Sequence, residues 1–183
     1  MEKPGNSLEN VLNNVKTILE FVQKSELFRN NVKPDSGQFL NSWEEVFKSF
    51  RRYTQIGRMA DENTMVALVN QERISHGLPI LAIDSRLIET ARIKSQDMIN
   101  HSYFGHHSPA LGSLGDIMAM HKIQYRSAAE NLAGNNDVKD AHLRLMDSLK
   151  HRKNILNKNF VKIGVGIVYG GPYGMMITQH YII

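Results

Sequence analysis

Val161-Lys162-Ile163-Gly164-Val165-Gly166-Ile167-Val168 reads as a β-strand, and Met175 to Ile183 reads as a second strand paired with it. Val161, Ile163, Val165 and Ile167 alternate with Lys162, Gly164, Gly166 and Val168, the period of two expected of a strand. The glycines allow a neighbouring backbone to approach closely. Gly170-Gly171-Pro172-Tyr173-Gly174 supplies the turn between the strands.

Upstream of this pair the apolar period lengthens to that of helices. Val138, Ala141, Leu145 and Leu149 form one helical stripe beginning at Asp137, and an irregular stretch is expected around Arg126 to Asn136. A short helix is expected around Asp116 to His121. Before it, His101 to Gly115 is rich in His, Gly, Ser and Pro and reads as a loop. Asp84 and Ser85 can cap a further helix with Leu87, Ile88, Ala91 and Met98 inward. An earlier helix starts near Asp61, carries Met65, Leu68 and Val69, and stops at His76-Gly77-Leu78-Pro79.

Two more amphipathic helices precede these. Leu8, Val11, Leu12, Val15, Ile18, Leu19 and Val22 make one stripe, with Asn6 and Glu9 as a capping box. Phe39, Leu40, Trp43, Val46, Phe47 and Phe50 make the other. They read as an N-terminal helical hairpin over residues 1–57, leaving 58–183 as the main domain. Helices followed by strands, without regular β-α alternation, give an α+β fold.

The 183 residues amount to about one domain's worth of chain, and 42% hydrophobic with 22% charged residues excludes a disordered or low-complexity chain. The net charge of +4 comes without a concentrated basic run, a poor basis for a nucleic-acid partner. No apolar stretch approaches the roughly 18 residues of a membrane helix. With no cysteine, disulfides, thiolate zinc sites and cysteine nucleophiles are excluded together. The phosphate loop, the dinucleotide-binding glycine motif, the HExxH zinc helix and the GxSxG nucleophile elbow do not occur.

Histidine is the residue type left to carry chemistry. His101, His106 and His107 share one loop, and His151 lies near an expected helix end. Nine helical residues separate His142 from His151, about half a turn out of phase, so the two face opposite ways. His142 falls on the stripe of Val138, Leu145 and Leu149 and reads as a core-edge histidine.

Four segments are informative in combination: Phe104-Gly105-His106-His107-Ser108-Pro109; Ala129-Glu130-Asn131-Leu132-Ala133; Ser148 through Leu156, containing His151-Arg152-Lys153-Asn154-Ile155; and Gly164-Val165-Gly166 with Tyr173 and Thr178-Gln179. From about Asp61 to Ile183 this ordered set resembles the bacterial, cysteine-free branch of the CAP superfamily, the cysteine-rich secretory, antigen 5 and pathogenesis-related proteins, also called SCP-like domains. The resemblance implies a three-layer α-β-α sandwich whose open cleft holds two histidines and two acids. His106 matches the family's first histidine, Glu130 the acid of its GEN[IL] motif, and His151 the histidine of its HRxNI[LM] motif. Asp116 is the best match for the second acid. The chain departs from the pattern with Ala129 in place of Gly, Leu145 in place of Trp, and the shorter Asp116 in place of the usual acid.

Two imidazoles converging on a cleft suit Zn²⁺ or another divalent cation, held by His106 and His151 with open positions for water, while a carboxylate orients one ring. Such a site is loose and fades as the histidines protonate near their reference value of about 6.5. The expected function is a binding module rather than an enzyme. The alternative is a metal-assisted hydrolase with Glu130 as base, and a third reading makes the same residues a hydrogen-bond network tying the layers together. Lipid, sterol or protein partners follow from the resemblance alone, with the N-terminal helices or Ile117 to Met120 as candidate apolar surfaces. The expected location is extracellular or at the cell surface, with lipid anchoring through a segment upstream of Met1 as one route.

Overall fold

A computed structural model describes residues 58–183; the helical hairpin expected over residues 1–57 lies outside the described residues. The first described element, α1 (residues 58–75), buries Met65, Val66 and Val69. It ends where expected. Gly77 takes φ 69°, a left-handed conformation open to glycine, and Leu78 N–H donates back to Arg73 O at 2.8 Å.

β1 (Ala82–Ile83) is too short to register in a sequence pattern, and it pairs parallel with β3 (Lys162–Tyr169). Asp84 then caps α2 (Ser85–Asn100), its Oδ1 accepting from Arg86 N–H at 3.0 Å. Hydrogen bonds from Arg86, reinforced by Lys162, hold the Asp84 carboxyl well below the usual carboxylate range despite its burial. α3 (Leu114–Met120) starts at a capping box formed by Ser113 and Asp116.

β2 (Ala128–Asn135) corrects the expected irregular stretch. Ala-Ala-Glu-Asn-Leu-Ala-Gly-Asn lacks apolar alternation, because its polar side chains are the ones carried inward, onto buried partners. α4 (Val138–Asp147) is capped by Asp137, which accepts from Asp140 N–H at 2.9 Å. The single stripe expected through Leu149 is a second correction. Ser148 leaves helical geometry (φ −80°, ψ 116°) and α5 (Leu149–Ile155) begins afresh, so Leu145 is buried while Leu149 is exposed.

β4 (Met175–Ile182) is central, antiparallel to both β3 and β2, in a four-stranded sheet ordered β1-β3-β4-β2. On one face Ile163, Val165, Ile167, Ile177 and Tyr181 pack with Met65 and Val69 of α1, Ala141 and Leu145 of α4 and Ile155 of α5. On the other, Leu87 of α2 and Met118 of α3 pack with Ile182, and Met98 packs with Leu132 and Met176. The architecture is therefore α+β, with helices on both faces of a mixed sheet. α2 lies directly on β3: a Cβ on Gly164 would meet Leu87 C at 2.2 Å, and one on Gly166 would meet Arg92 N at 2.1 Å.

His142 is 3% exposed on α4, with both ring nitrogens lacking a hydrogen-bond partner and the nearest carboxylate oxygen, of Glu72, 3.9 Å from Nε2. Burial pushes its pKa below the ordinary value, against the pull of Glu72. The unfolded chain takes up this proton near pH 6.5 while the folded one resists it, so stability falls as pH drops through that value. The slope is at most about 1.4 kcal/mol per pH unit. Urea titrations at pH 7.5 and 5.5 should show a smaller pH difference for His142→Leu than for the parent.

Candidate functional site

Glu130 occupies the edge strand β2, opposite His180 in the register of β4. Its side chain is 3% exposed and divides its oxygens between two rings. Oε1 accepts from His106 Nδ1–H at 2.8 Å, and Oε2 lies 3.0 Å from His180 Nε2. His180 is fully buried, and its other nitrogen lies 3.0 Å from the Thr90 hydroxyl on α2. A buried carboxylate with both oxygens engaged is a rigid post. The ring outside it is not buried: the His106 side chain is 66% exposed. Because Nδ1 donates to Glu130, Nε2 is the nitrogen left for the cleft.

The loop bearing His106 is pinned from below. Lys94 of α2 is fully buried and donates to His106 O at 3.1 Å and to Tyr103 OH at 2.8 Å. Asp97 accepts from Tyr103 OH at 2.5 Å and from Ser108 Oγ at 2.6 Å. Burial pushes the Lys94 ammonium below its ordinary value against the pull of Glu130 and Asp97. Burial alone would raise Asp97, but the hydrogen bonds from Ser108 and Tyr103, with the charges of His101 and Lys94, hold it down. These charges compensate one another, which is the condition for keeping them in a low-dielectric interior.

His151 comes from the opposite side of the edge strand, on α5. Asn131, next to Glu130 but pointing to the other face, donates through Nδ2 to His151 O at 3.1 Å and to Gln179 Oε1 at 3.0 Å. Asn154 donates to Asn131 Oδ1 at 2.8 Å. The asparagines of the two motifs thus weld α5 to β2. Burial, then the positive fields of His106 and Lys150, push the His151 pKa below the ordinary histidine value. His151 therefore feels the charge of His106, although the two rings share no hydrogen bond among the described residues.

A cavity of about 310 Å³ opens beside this cluster, lined by His106, His107, Ser113, Leu114, Ala128, Ala129 and Glu130. Asp116 sits in the first turn of α3. Its Oδ2 accepts from Ser113 N–H and Ser113 Oγ, both at 2.7 Å, in the exposed capping box of α3. These bonds, with the charge of His107, hold it below the usual carboxylate range. No hydrogen bond or ion pair among the described residues joins Asp116 to His106, Glu130 or His151. Ile117 and Met118, from the stretch considered as an apolar groove, are fully buried core residues, and Met120 is exposed.

His180, Thr90, Lys94 and Asp97 escape the sequence reading. Of these, His180 carries one available signal, a histidine inside a strand that is buried at every position. Among the described residues no three His, Asp or Glu side chains gather as ligands for one metal ion. The donor set suits an ion held loosely by two imidazoles, with Glu130 as the outer partner of one ring, and not a closed tetrahedral centre.

The sequence model of the cysteine-rich secretory protein (CAP) family matches residues 66–181. The chain belongs to the CAP family. Protein YkwD of Bacillus subtilis is similar to this CAP chain, at 47% identity over 124 residues, covering 67% of the chain and 47% of YkwD. A crystal structure of an extracellular protein containing an SCP domain from Bacillus anthracis is 36% identical with a TM-score of 0.64, over 68% of this chain and 41% of that one. An outer surface protein from Borrelia burgdorferi, at 15% identity, shares the fold with a TM-score of 0.63 over 67% of this chain and 92% of its own. The CAP chain thus spans less than half the length of its Bacillus relatives.

Proposed function

We propose that this CAP domain is an extracellular binding module whose cleft takes a divalent cation such as Zn²⁺ between His106 and His151. The observation that carries the reading is the 2.8 Å bond from His106 Nδ1 to Glu130, which fixes the ring and leaves Nε2 free, and the charge of His106 also acts on His151. A bound ion would supply a Lewis acid with water in its remaining positions. His106 and His151 would hold it, and Glu130 would orient His106. The His151 ring, with its lowered pKa, stays neutral and able to ligate at lower pH than a free histidine. The extracellular setting is supported by the Bacillus anthracis relative, described as an extracellular protein.

The hydrolase alternative has less support, because both oxygens of Glu130 are committed to rings at 2.8 and 3.0 Å, leaving neither poised as a base. Lipid, sterol or protein ligands and a lipid anchor remain proposals resting on the family alone.

Calorimetric titration with Zn²⁺ at pH 7.5 should show binding that His106→Ala and His151→Ala each abolish. Glu130→Gln should weaken it about 10- to 100-fold, as loss of an outer partner does. Unchanged binding in the histidine variants overturns the site. Glu130→Ala should also cost about 3 kcal/mol in metal-free urea unfolding, because His180 is left buried without its partner.

A further inference from the structure

From Ser148 to Ile183 the sequence contains no Asp or Glu, and it carries Lys150, Arg152, Lys153, Lys158 and Lys162. Lys162 is spent on Asp84 at 3.2 Å. The other four form no ion pair among the described residues. Three of them lie on α5, which has no acid of its own.

At about 100° per residue, Arg152, Leu149 and Lys153 of α5 and its C-cap Leu156 fall within one arc of roughly 100°, with Lys150 about 60° beyond it. His151 and Asn154 project on the other side, where Asn154 reaches Asn131. The outer arc borders a shallow groove of about 470 Å³ lined by Leu149, Arg152, Lys153, Leu156 and Asn157. Leu149 is 74% exposed at its rim.

An exposed leucine alone means little, and a few exposed lysines are ordinary. Together they are an apolar side chain beside unneutralised cations, on a helix with no acid of its own, the exposed Asp147 belonging to the end of α4. We propose that this outer face of α5 docks on an anionic lipid bilayer. Leu149 enters the headgroup boundary, and Lys150, Arg152 and Lys153 meet lipid phosphates. A soluble polyanion would satisfy the cations but leave Leu149 in water, whereas a bilayer covers it; Leu156 is already packed partly against the core. His151 lies on the opposite side of the same helix, so docking leaves the histidine cleft open to solution. The surface is distinct from the metal site proposed above, with Lys150 alone adjoining His151.

The test is co-sedimentation of the full chain with vesicles of about one third phosphatidylglycerol in phosphatidylcholine, against phosphatidylcholine alone. Binding should require the anionic lipid and weaken with salt. Each cation near such a surface contributes roughly fivefold, so combined Lys150→Gln, Arg152→Gln and Lys153→Gln should reduce affinity on the order of a hundredfold. Leu149→Ser should reduce vesicle binding about tenfold and leave binding to inorganic polyphosphate unchanged. Circular dichroism melts of the variants should match that of the parent, since the substituted side chains are exposed. Equal sedimentation with neutral vesicles, a triple variant that binds like the parent, or indifference to Leu149→Ser with full competition by polyphosphate would each overturn the proposal. The last result would mark a site for soluble polyanions instead.

Discussion

Gly166→Val should destabilise the domain by at least about 3 kcal/mol, the upper range of overpacking. The reason is what a side chain there would strike. The nearest atoms are Arg92 N at 2.1 Å, Ala91 C at 2.2 Å and Ala91 O at 2.7 Å, all backbone of α2. Backbone in the middle of a helix cannot swing aside as a flexible side chain can, so the whole helix must lift off β3. Lifting it would break the bond from Ser95 Oγ to Gly166 O, 2.9 Å long, and would draw Thr90 away from His180. For a chain of this size the expected fall in Tm is on the order of 10 °C. Thermal unfolding followed by circular dichroism checks it. Gly166→Ala meets the same first atom and should already lower the midpoint, and a valine variant melting like the parent would contradict the packing described.

Arg73→Met should cost about 4 to 6 kcal/mol, a large part of the 5–15 kcal/mol that keeps a domain folded. Arg73 is fully buried on α1, and its guanidinium donates to four carbonyls. Nε reaches Pro79 O at 2.9 Å, Nη1 reaches Ile155 O and Asn157 O at 2.8 Å each, and Nη2 reaches Phe160 O at 3.4 Å. Methionine keeps much of the volume but removes a donor from all four acceptors, leaving Asn157 O with only the Phe160 N–H at 3.4 Å. Two of those carbonyls close the end of α5, so the substitution acts on the helix that carries His151. The variant should therefore lose Zn²⁺ affinity as well as stability, although Arg73 is no ligand. Arg73→Lys should recover only part of both, since one ammonium cannot span the four acceptors. Urea unfolding and metal titration of the pair of variants separate these effects.

Much of this architecture is legible in local pattern. The alternation of Ile163, Val165 and Ile167 marks β3, Asp84 and Asp137 mark helix starts, and Gly77 marks a helix end. Local pattern fails where tertiary partners override it. In β2 the inward positions are Glu130 and Asn131, whose burial is compensated by His180, His106 and Gln179 from distant segments. At Ser148 the apolar spacing from Leu145 to Leu149 runs unbroken through a point where the backbone turns. The candidate site divides the same way. His106, Glu130 and His151 could be matched from their motifs. Thr90, Lys94 and His180 could not, because their roles exist only once α2 lies on the sheet and β4 is in register with β2.

The central strand of the sheet, β4, is also the last in chain order, and it bridges β3 and β2 along its whole length. Until it arrives, those two share no neighbour and Glu130 has no inner imidazole to bind. Non-local pairing of this kind delays commitment to the native topology. A polypeptide grown only as far as residue 174 therefore lacks the keystone that joins the two halves of the sheet, and a truncation from the C-terminal side that removes β4 should forfeit the whole assembly rather than one edge of it.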